Sequence, residues 1–160
     1  MNVQAPINSA LALRDQFPAI PAGWHYLDSA ATAQKPQAVI DAITRAYGHD
    51  YATVHRGVYE RSAAMTASFE AARAATASLI GGEEHEVVFT RGATEAINLV
   101  AQSYRNGDRK RVLLSQLEHH SNIVPWQLAG YELDVVPLTE DGRIDLDAAE
   151  RMASEDHAIL

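Results

Sequence analysis

Two stretches of the chain repeat one plan, and that plan restricts the fold more than any other feature. In Val87–Val100 the apolar run Val87, Val88 and Phe89 gives way to a turn at Thr90-Arg91-Gly92, and Thr94-Glu95 opens a helical pattern. In Val112–Leu128 the apolar run Val112-Leu113-Leu114 leads into Ser115-Gln116-Leu117-Glu118-His119-His120-Ser121-Asn122, then into a helix carrying Ile123, Val124, Trp126 and Leu128. Consecutive strand-loop-helix units return each strand in the same direction through right-handed crossovers, which places both loops on one edge of a parallel sheet. Ligands in such sheets bind at the carboxyl ends of the strands. The expected fold is therefore α/β, a mostly parallel sheet flanked by helices.

The other segments are consistent with that fold. Asn8-Ser9 can cap a short amphipathic helix carrying Leu11 and Leu13 and stopping at Phe17-Pro18, so residues 1–22 read as an N-terminal arm. His25-Tyr26-Leu27-Asp28 reads as a strand running into the small residues Ser29-Ala30-Ala31-Thr32, either a tight packed turn or a close approach to a ligand. Pro36 suits a helix start, with Val39, Ala42, Ile43, Ala46 and Tyr47 at helical spacing and an end near Gly48. Residues 50–60 have no period and hold His55, Arg56, Gly57 and two tyrosines, the composition of a functional or a plain surface loop. Ser62 can cap the next helix, whose stripe of Met65, Phe69, Ala72, Ala75 and Leu79 reads as core and ends at Gly81-Gly82. Leu133–Leu138 predicts a strand, 140–142 a turn, Leu146–Met152 a helix, and His157–Leu160 the start of another strand.

Charge and cysteine content exclude several classes. The 160 residues carry a net charge of −8, and the basic residues are scattered apart from Arg109-Lys110-Arg111, so no nucleic-acid footprint is present. No apolar run approaches a membrane span, and the expected setting is cytoplasmic. The chain has no cysteine, which removes disulfides and any thiol chemistry of its own.

The unpartnered N–H groups at the start of a helix suit an anion, so Gly92, Ala93 and Thr94 form a candidate phosphate cradle. Glu118-His119-His120 suits a metal poorly, because adjacent side chains diverge in a helix or a strand. An imidazole there can instead stack on a flat cofactor or move a proton, or simply bond into its loop. A cradle and a stacking histidine one strand away describe half a site for pyridoxal 5'-phosphate, whose chemistry also needs a tethering lysine and an acidic partner. The two lysines, Lys35 beside Pro36 and Lys110 within Arg-Lys-Arg, do not suit that tether.

Four ordered segments, YLDSAATAQKP (Tyr26–Pro36), YATVHRGVYERSA (Tyr51–Ala63), VVFTRGATEAINLVAQSY (Val87–Tyr104) and LLSQLEHHSNIVPWQL (Leu113–Leu128), closely resemble the N-terminal part of cysteine desulfurases. The likeness is to the SUF-type group of the class V aminotransferase-like, pyridoxal-phosphate-dependent fold type I enzymes. It implies that residues 23–160 are an incomplete large domain of such a transferase. It further implies removal of sulfur from L-cysteine, leaving L-alanine, with persulfide sulfur passed to an acceptor protein for iron-sulfur cluster assembly. By the resemblance, Ala93 and Thr94 bind the cofactor phosphate, and His119 stacks on the pyridine ring and assists proton transfer. Ala30 and Ala31 line the substrate side, while His55 and Arg56 approach the site across a homodimer interface. Asn98 and Glu95 hold the loop rather than touch substrate.

Departures from the family pattern qualify this picture. The family's pyridinium-binding aspartate, tethering lysine and persulfide-forming cysteine have no counterpart here, so the chain is expected to be inactive alone and cut short of its parent. Loops around 105–108 and 129–131 look shorter than the family's, and the second shortening bears on the register of the Leu133–Leu138 strand. Two alternatives stay open: another class V enzyme, such as a selenocysteine lyase, and a non-catalytic truncated subunit that acts by pairing.

Overall fold

The computed structural model describes residues 13–159, so Asn8, Ser9 and Leu11 of the expected N-terminal helix, and Leu160, lie outside the described residues. The chain divides between Val87 and Val88 into two compact units.

In the first unit a 3-10 turn, Arg14–Gln16, precedes α1, Gln37–Arg45, which follows Pro36 and runs on into one π-helical turn at Ala46–Asp50. Helix α2, Glu60–Ile80, is alanine-rich and so favours helix over its whole length. It stops at Gly81, whose φ of 72° is the left-handed conformation glycine adopts without a Cβ clash, and the N–H groups of Gly81 and Gly82 both close onto the Ala77 carbonyl. Two expectations fail here. Ser62 does not cap α2, which starts two residues earlier, but lies buried and donates to the Thr53 carbonyl at 2.7 Å. The stripe on α2 is not a closed core either: Met65 and Phe69 are half-buried, and Ala72, Ala75 and Leu79 are exposed. Residues 25–28 are extended but unpaired, because no described strand lies alongside to complete a ladder.

In the second unit the structure follows the sequence pattern from α3 onward. Helix α3 is Ala93–Ser103, β1 is Arg111–Ser115, α4 is Val124–Leu128, β2 is Glu132–Val136, α5 is Leu146–Met152 and β3 is His157–Ile159. The three strands form a parallel sheet in the order β2-β1-β3, with Arg111 to Ser115 of β1 paired in turn with Glu132 to Val136 of β2. β2 ends earlier than expected. Pro137 has no N–H for the ladder, and Leu138 instead makes an antiparallel bridge with Ile144 across the 140–142 turn. The run Val87-Val88-Phe89 is likewise extended without a ladder, and Val88 and Phe89 are exposed.

Alternation along β1 builds two cores from one strand. Val112 and Leu114 face Ala101 of α3, Trp126 of α4, Tyr131 and Ala158, with Ile97 and Ile123 packed alongside. Leu113 faces the other way, onto Val136 and Ala148 of α5. With both faces covered, the centre strand reads as an unbroken apolar run.

A polar network ties the amino edge of the sheet. Arg111 grips Asp134 with Nε to Oδ2 at 2.8 Å and Nη2 to Oδ1 at 2.5 Å, and buried His157 donates from Nε2 to Asp134 at 2.9 Å. The Ser154 N–H donates to His157 Nδ1 at 3.1 Å, which fixes the Nε2–H tautomer. The Asp134 carboxyl is held below the usual carboxylate range, first by the Arg111 hydrogen bond, with His157 assisting and burial opposing.

Candidate functional site

Helix α3 begins without a side-chain cap. Its first intrahelical bond runs from Ala96 N–H to the Gly92 carbonyl at 3.1 Å, so the preceding N–H groups, those of Ala93 and Thr94 among them, are left to other acceptors. The one carboxylate in this turn, Glu95, folds back to accept from the Arg91 N–H at 2.6 Å. Asn98 Nδ2 donates to the Thr94 carbonyl at 2.8 Å, and Thr90 Oγ1 to that of Gly92 at 3.2 Å. Glu95 and Asn98 thus hold the turn, as expected. Ala93 and Thr94 are exposed, and a Cβ built on Gly92 would meet nothing within 4 Å. Two amides, a hydroxyl and the positive end of an eleven-residue helix suit the three oxygens of a phosphate ester.

His119 lies in the loop that leaves the carboxyl end of β1, where extended backbone (ψ 142°) meets the 3-10 turn His120–Asn122. That change of conformation brings the His119 and His120 rings to a 4.0 Å centroid separation with a 39° tilt. The expected divergence of adjacent side chains fails, because the pair straddles the change from extended backbone to the 3-10 turn rather than lying within one regular element. Nδ1 of His119 accepts from the Ser121 N–H at 3.2 Å and lies 2.9 Å from Ser121 Oγ, so the neutral ring carries its proton on Nε2. No group of three or more metal-ligating side chains occurs among the described residues.

A relay anchors this loop. Buried Trp126 donates from Nε1 to Asn122 Oδ1 at 3.0 Å, and Asn122 Nδ2 donates to Glu118 Oε2 at 2.8 Å. Glu118 Oε1 accepts from Ser115 Oγ, the last residue of β1, at 3.0 Å. The loop is thereby bound to both the strand before it and the helix after it. Glu118 and Asn122 were not singled out as anchors from the sequence, although their four-residue spacing with Trp126 was visible there. Helix α3 packs on the 3-10 turn after His119, so the phosphate candidates and the stacking candidate belong to neighbouring elements of one unit.

The remaining candidates lie in the first unit. Ala30 and Ala31 occupy an exposed turn closed by Ala31 N–H to Asp28 O at 3.2 Å and braced by the Tyr26 hydroxyl on Thr32 O at 2.7 Å. His55 and Arg56 form the tip of the 51–59 loop, with His55 at φ 66°. Its Nε2 lies 3.0 Å from Glu70 of α2. A cleft of about 490 Å³ between α1 and α2, lined by Asp41, Arg45, Arg61 and Met65, contains none of the seven candidates. Concavity alone therefore does not mark the site. Lys35 bonds its own turn through the Ala33 carbonyl, and Lys110 precedes β1 at the amino edge, opposite His119.

Comparison with known proteins bears on the same residues. The family model described as aminotransferase class-V matches residues 25–160. A cysteine desulfurase of Klebsiella pneumoniae is 52% identical over 130 residues, covering 76% of this chain and 32% of that protein. Among solved structures, the apo cysteine desulfurase of Thermococcus onnurineus superposes with a TM-score of 0.74 at 32% identity, covering 88% of this chain and 36% of that one. The cysteine desulfurase CsdA of Escherichia coli, solved with an S-sulfonic acid, gives 0.72 at 37% identity over 90% of this chain and 38% of that one. The chain thus spans about a third of the length of the curated relatives it matches.

Proposed function

The chain belongs to the class V aminotransferase family, and from that membership we propose that it is the cofactor-anchoring part of a SUF-type cysteine desulfurase. The observation that carries this reading is helix α3, which starts without a side-chain cap, packed against the 3-10 turn that follows His119 after β1 of the parallel sheet. The 52% identity to a cysteine desulfurase supports the choice of reaction.

Pyridoxal 5'-phosphate, when bound, supplies the electron sink for bonds broken at the α-carbon of L-cysteine. Ala93 and Thr94 hold its phosphate through backbone N–H groups and the Thr94 hydroxyl. His119 lays its ring on the pyridine and passes a proton at Nε2, while Nδ1 is engaged by Ser121. Glu118, Asn122 and Trp126 keep that ring in place. Ala30 and Ala31 line the substrate side, and His55 and Arg56 reach the site of a second copy in a homodimer. The parent activity leaves L-alanine and hands persulfide sulfur to an acceptor protein for iron-sulfur cluster assembly in the cytoplasm. Without a cysteine or a suitably placed lysine, the 160-residue chain releases no sulfide by itself.

Titration of the chain with pyridoxal 5'-phosphate and with pyridoxal, followed by calorimetry, tests the anchor. The phosphate ester is expected to bind at least about ten-fold tighter, and Thr94→Ala to remove about ten-fold of that preference. Equal affinity for both compounds, or sulfide release from L-cysteine by the chain alone, overturns the reading.

A further inference from the structure

The 51–59 loop is exposed, yet it is held in one conformation by a single face of α2. Ser62, Thr66 and Glu70 follow one another at four-residue intervals and so lie in a row along the helix. Each makes one bond to the loop. Ser62 Oγ donates to the Thr53 carbonyl at 2.7 Å, Thr66 Oγ1 accepts from the His55 N–H at 2.9 Å, and a Glu70 carboxylate oxygen takes His55 Nε2 at 3.0 Å. Thr66 is itself oriented, because its hydroxyl donates to the Ser62 carbonyl at 2.8 Å.

Two further observations show that the fit is close. A Cβ on Gly57 would fall 2.3 Å from Ser62 Oγ and 2.5 Å from Ser62 Cβ, so loop backbone rests directly on the helix. His55 has φ 66°, a left-handed conformation unfavourable for a residue with a Cβ. Surrounding bonds must over-determine such a conformation for it to persist.

We propose that Ser62, Thr66 and Glu70 are positioning residues that set the backbone and the imidazole tautomer of His55 and thereby present the His55-Arg56 tip. A carboxylate can only accept, so the Glu70 contact puts the ring proton on Nε2 and leaves the lone pair on Nδ1. Phe69 meets the same ring edge-on at 5.8 Å and 87°, and Arg73 holds the other Glu70 oxygen at 3.3 Å. Ion pairs this exposed add little to stability, so what the Glu70 contact supplies is orientation. The purpose assigned to the tip rests on the proposed function, whereas the bonds that fix it do not.

Imidazole ¹⁵N shifts, His55 amide exchange and trypsin cleavage after Arg56 test the proposal on the 160-residue chain, without cofactor or cysteine. Failure of the pyridoxal phosphate titration therefore leaves this result readable, and the reverse also holds. The neutral His55 ring is expected as the Nε2–H tautomer. Glu70→Ala should give a tautomer mixture, and Glu70→Gln, which keeps an accepting oxygen, should restore the native form. Thr66→Val should raise amide exchange and cleavage about five-fold, the loss of one hydrogen bond, with Thr66→Ser restoring both. An unchanged tautomer in Glu70→Ala, unchanged exchange and cleavage in Thr66→Val, or a change that the conservative variants fail to rescue overturns the proposal.

Discussion

Helix α2 and strand β1 illustrate two ways of holding a loop that carries site candidates. The helix has 21 residues and buries only Ser62 and Ala77, whereas the strand has five and buries Val112, Leu113 and Leu114. Length of regular structure therefore says little about where a unit is anchored. β1 works through burial on two faces, and its loop inherits the position of a packed sheet. α2 works through a row of polar side chains that bond the loop directly. A loop whose side-chain bonds end on a buried core residue, as those of the His119 loop do on Trp126, should loosen together with that core, while a loop held by exposed side chains should fail one bond at a time.

The largest expected effect tests the packed half of that comparison. Val112 is fully buried at the centre of one cluster, so Val112→Ala should cost about 2 to 3 kcal/mol of the second unit's stability. Leu79 on α2 is 86% exposed, so Leu79→Ala should stay within about 0.5 kcal/mol. Urea midpoints followed by Trp126 fluorescence in a Trp24→Phe background would measure the first, and far-ultraviolet dichroism the second. Comparable losses for the two substitutions would break the comparison.

Next in size is the relay beneath His119. Asn122→Ala leaves the buried Trp126 N–H and one oxygen of Glu118 without their partner, at an expected cost of about 2 kcal/mol. Trp126→Phe plus Asn122→Ala should cost less than the sum of the two single changes, since the second removal then orphans no donor on the ring. Additive losses in that double-mutant cycle would mean that the relay is not one unit.

Acid titration gives a smaller effect, confined to the sheet. A carboxyl whose folded pKa is depressed contributes stability that is present above its unfolded value and lost as pH falls through the folded one. For Asp134, held down chiefly by Arg111, stability should therefore fall progressively below about pH 4. Asp134→Asn should flatten that acid limb while leaving the share from Asp141, which is lowered by Thr139 and Arg143. Parallel acid curves for the two chains would remove Asp134 from the account.

The sheet was readable in the sequence for the reason β1 tolerates so little change. A strand covered on both faces is written as consecutive apolar residues, and Val112-Leu113-Leu114 carries that mark, while β2 and β3 were marked by shorter apolar runs beside Asp134 and His157. Tyr26-Leu27 and Val87-Val88-Phe89 are apolar too and join no ladder among the described strands, because a ladder requires a neighbour that local composition does not reveal. Ser62 looked like a cap since capping is a local signal, whereas its actual partner, Thr53, lies nine residues back in a loop without periodicity. His119 and His120 were expected to diverge on the geometry of regular elements, and a single change of backbone conformation brought them together. The candidate positions were legible from motif resemblance, while the side chains that hold them depended on the three-dimensional path.

The smallest expected effect concerns two of the helix starts of the second unit, those of α3 and α5. Helix α5 is capped: Asp145 Oδ1 accepts from the Ala148 N–H at 2.8 Å, and Asp145→Ala should cost about 1 kcal/mol. Helix α3 has no such cap, and the Thr94 hydroxyl makes no cap bond among the described residues. Thr94→Ala should therefore leave the stability of the ligand-free chain within about 0.5 kcal/mol, although it weakens binding of a phosphate ester. Thermal unfolding of both variants, with and without pyridoxal 5'-phosphate, separates the two roles. A loss in the ligand-free Thr94→Ala chain as large as that of Asp145→Ala would make the hydroxyl a structural cap. Its oxygen would then accept from a helix N–H, and that bond would set the direction in which the remaining O–H can donate to a phosphate.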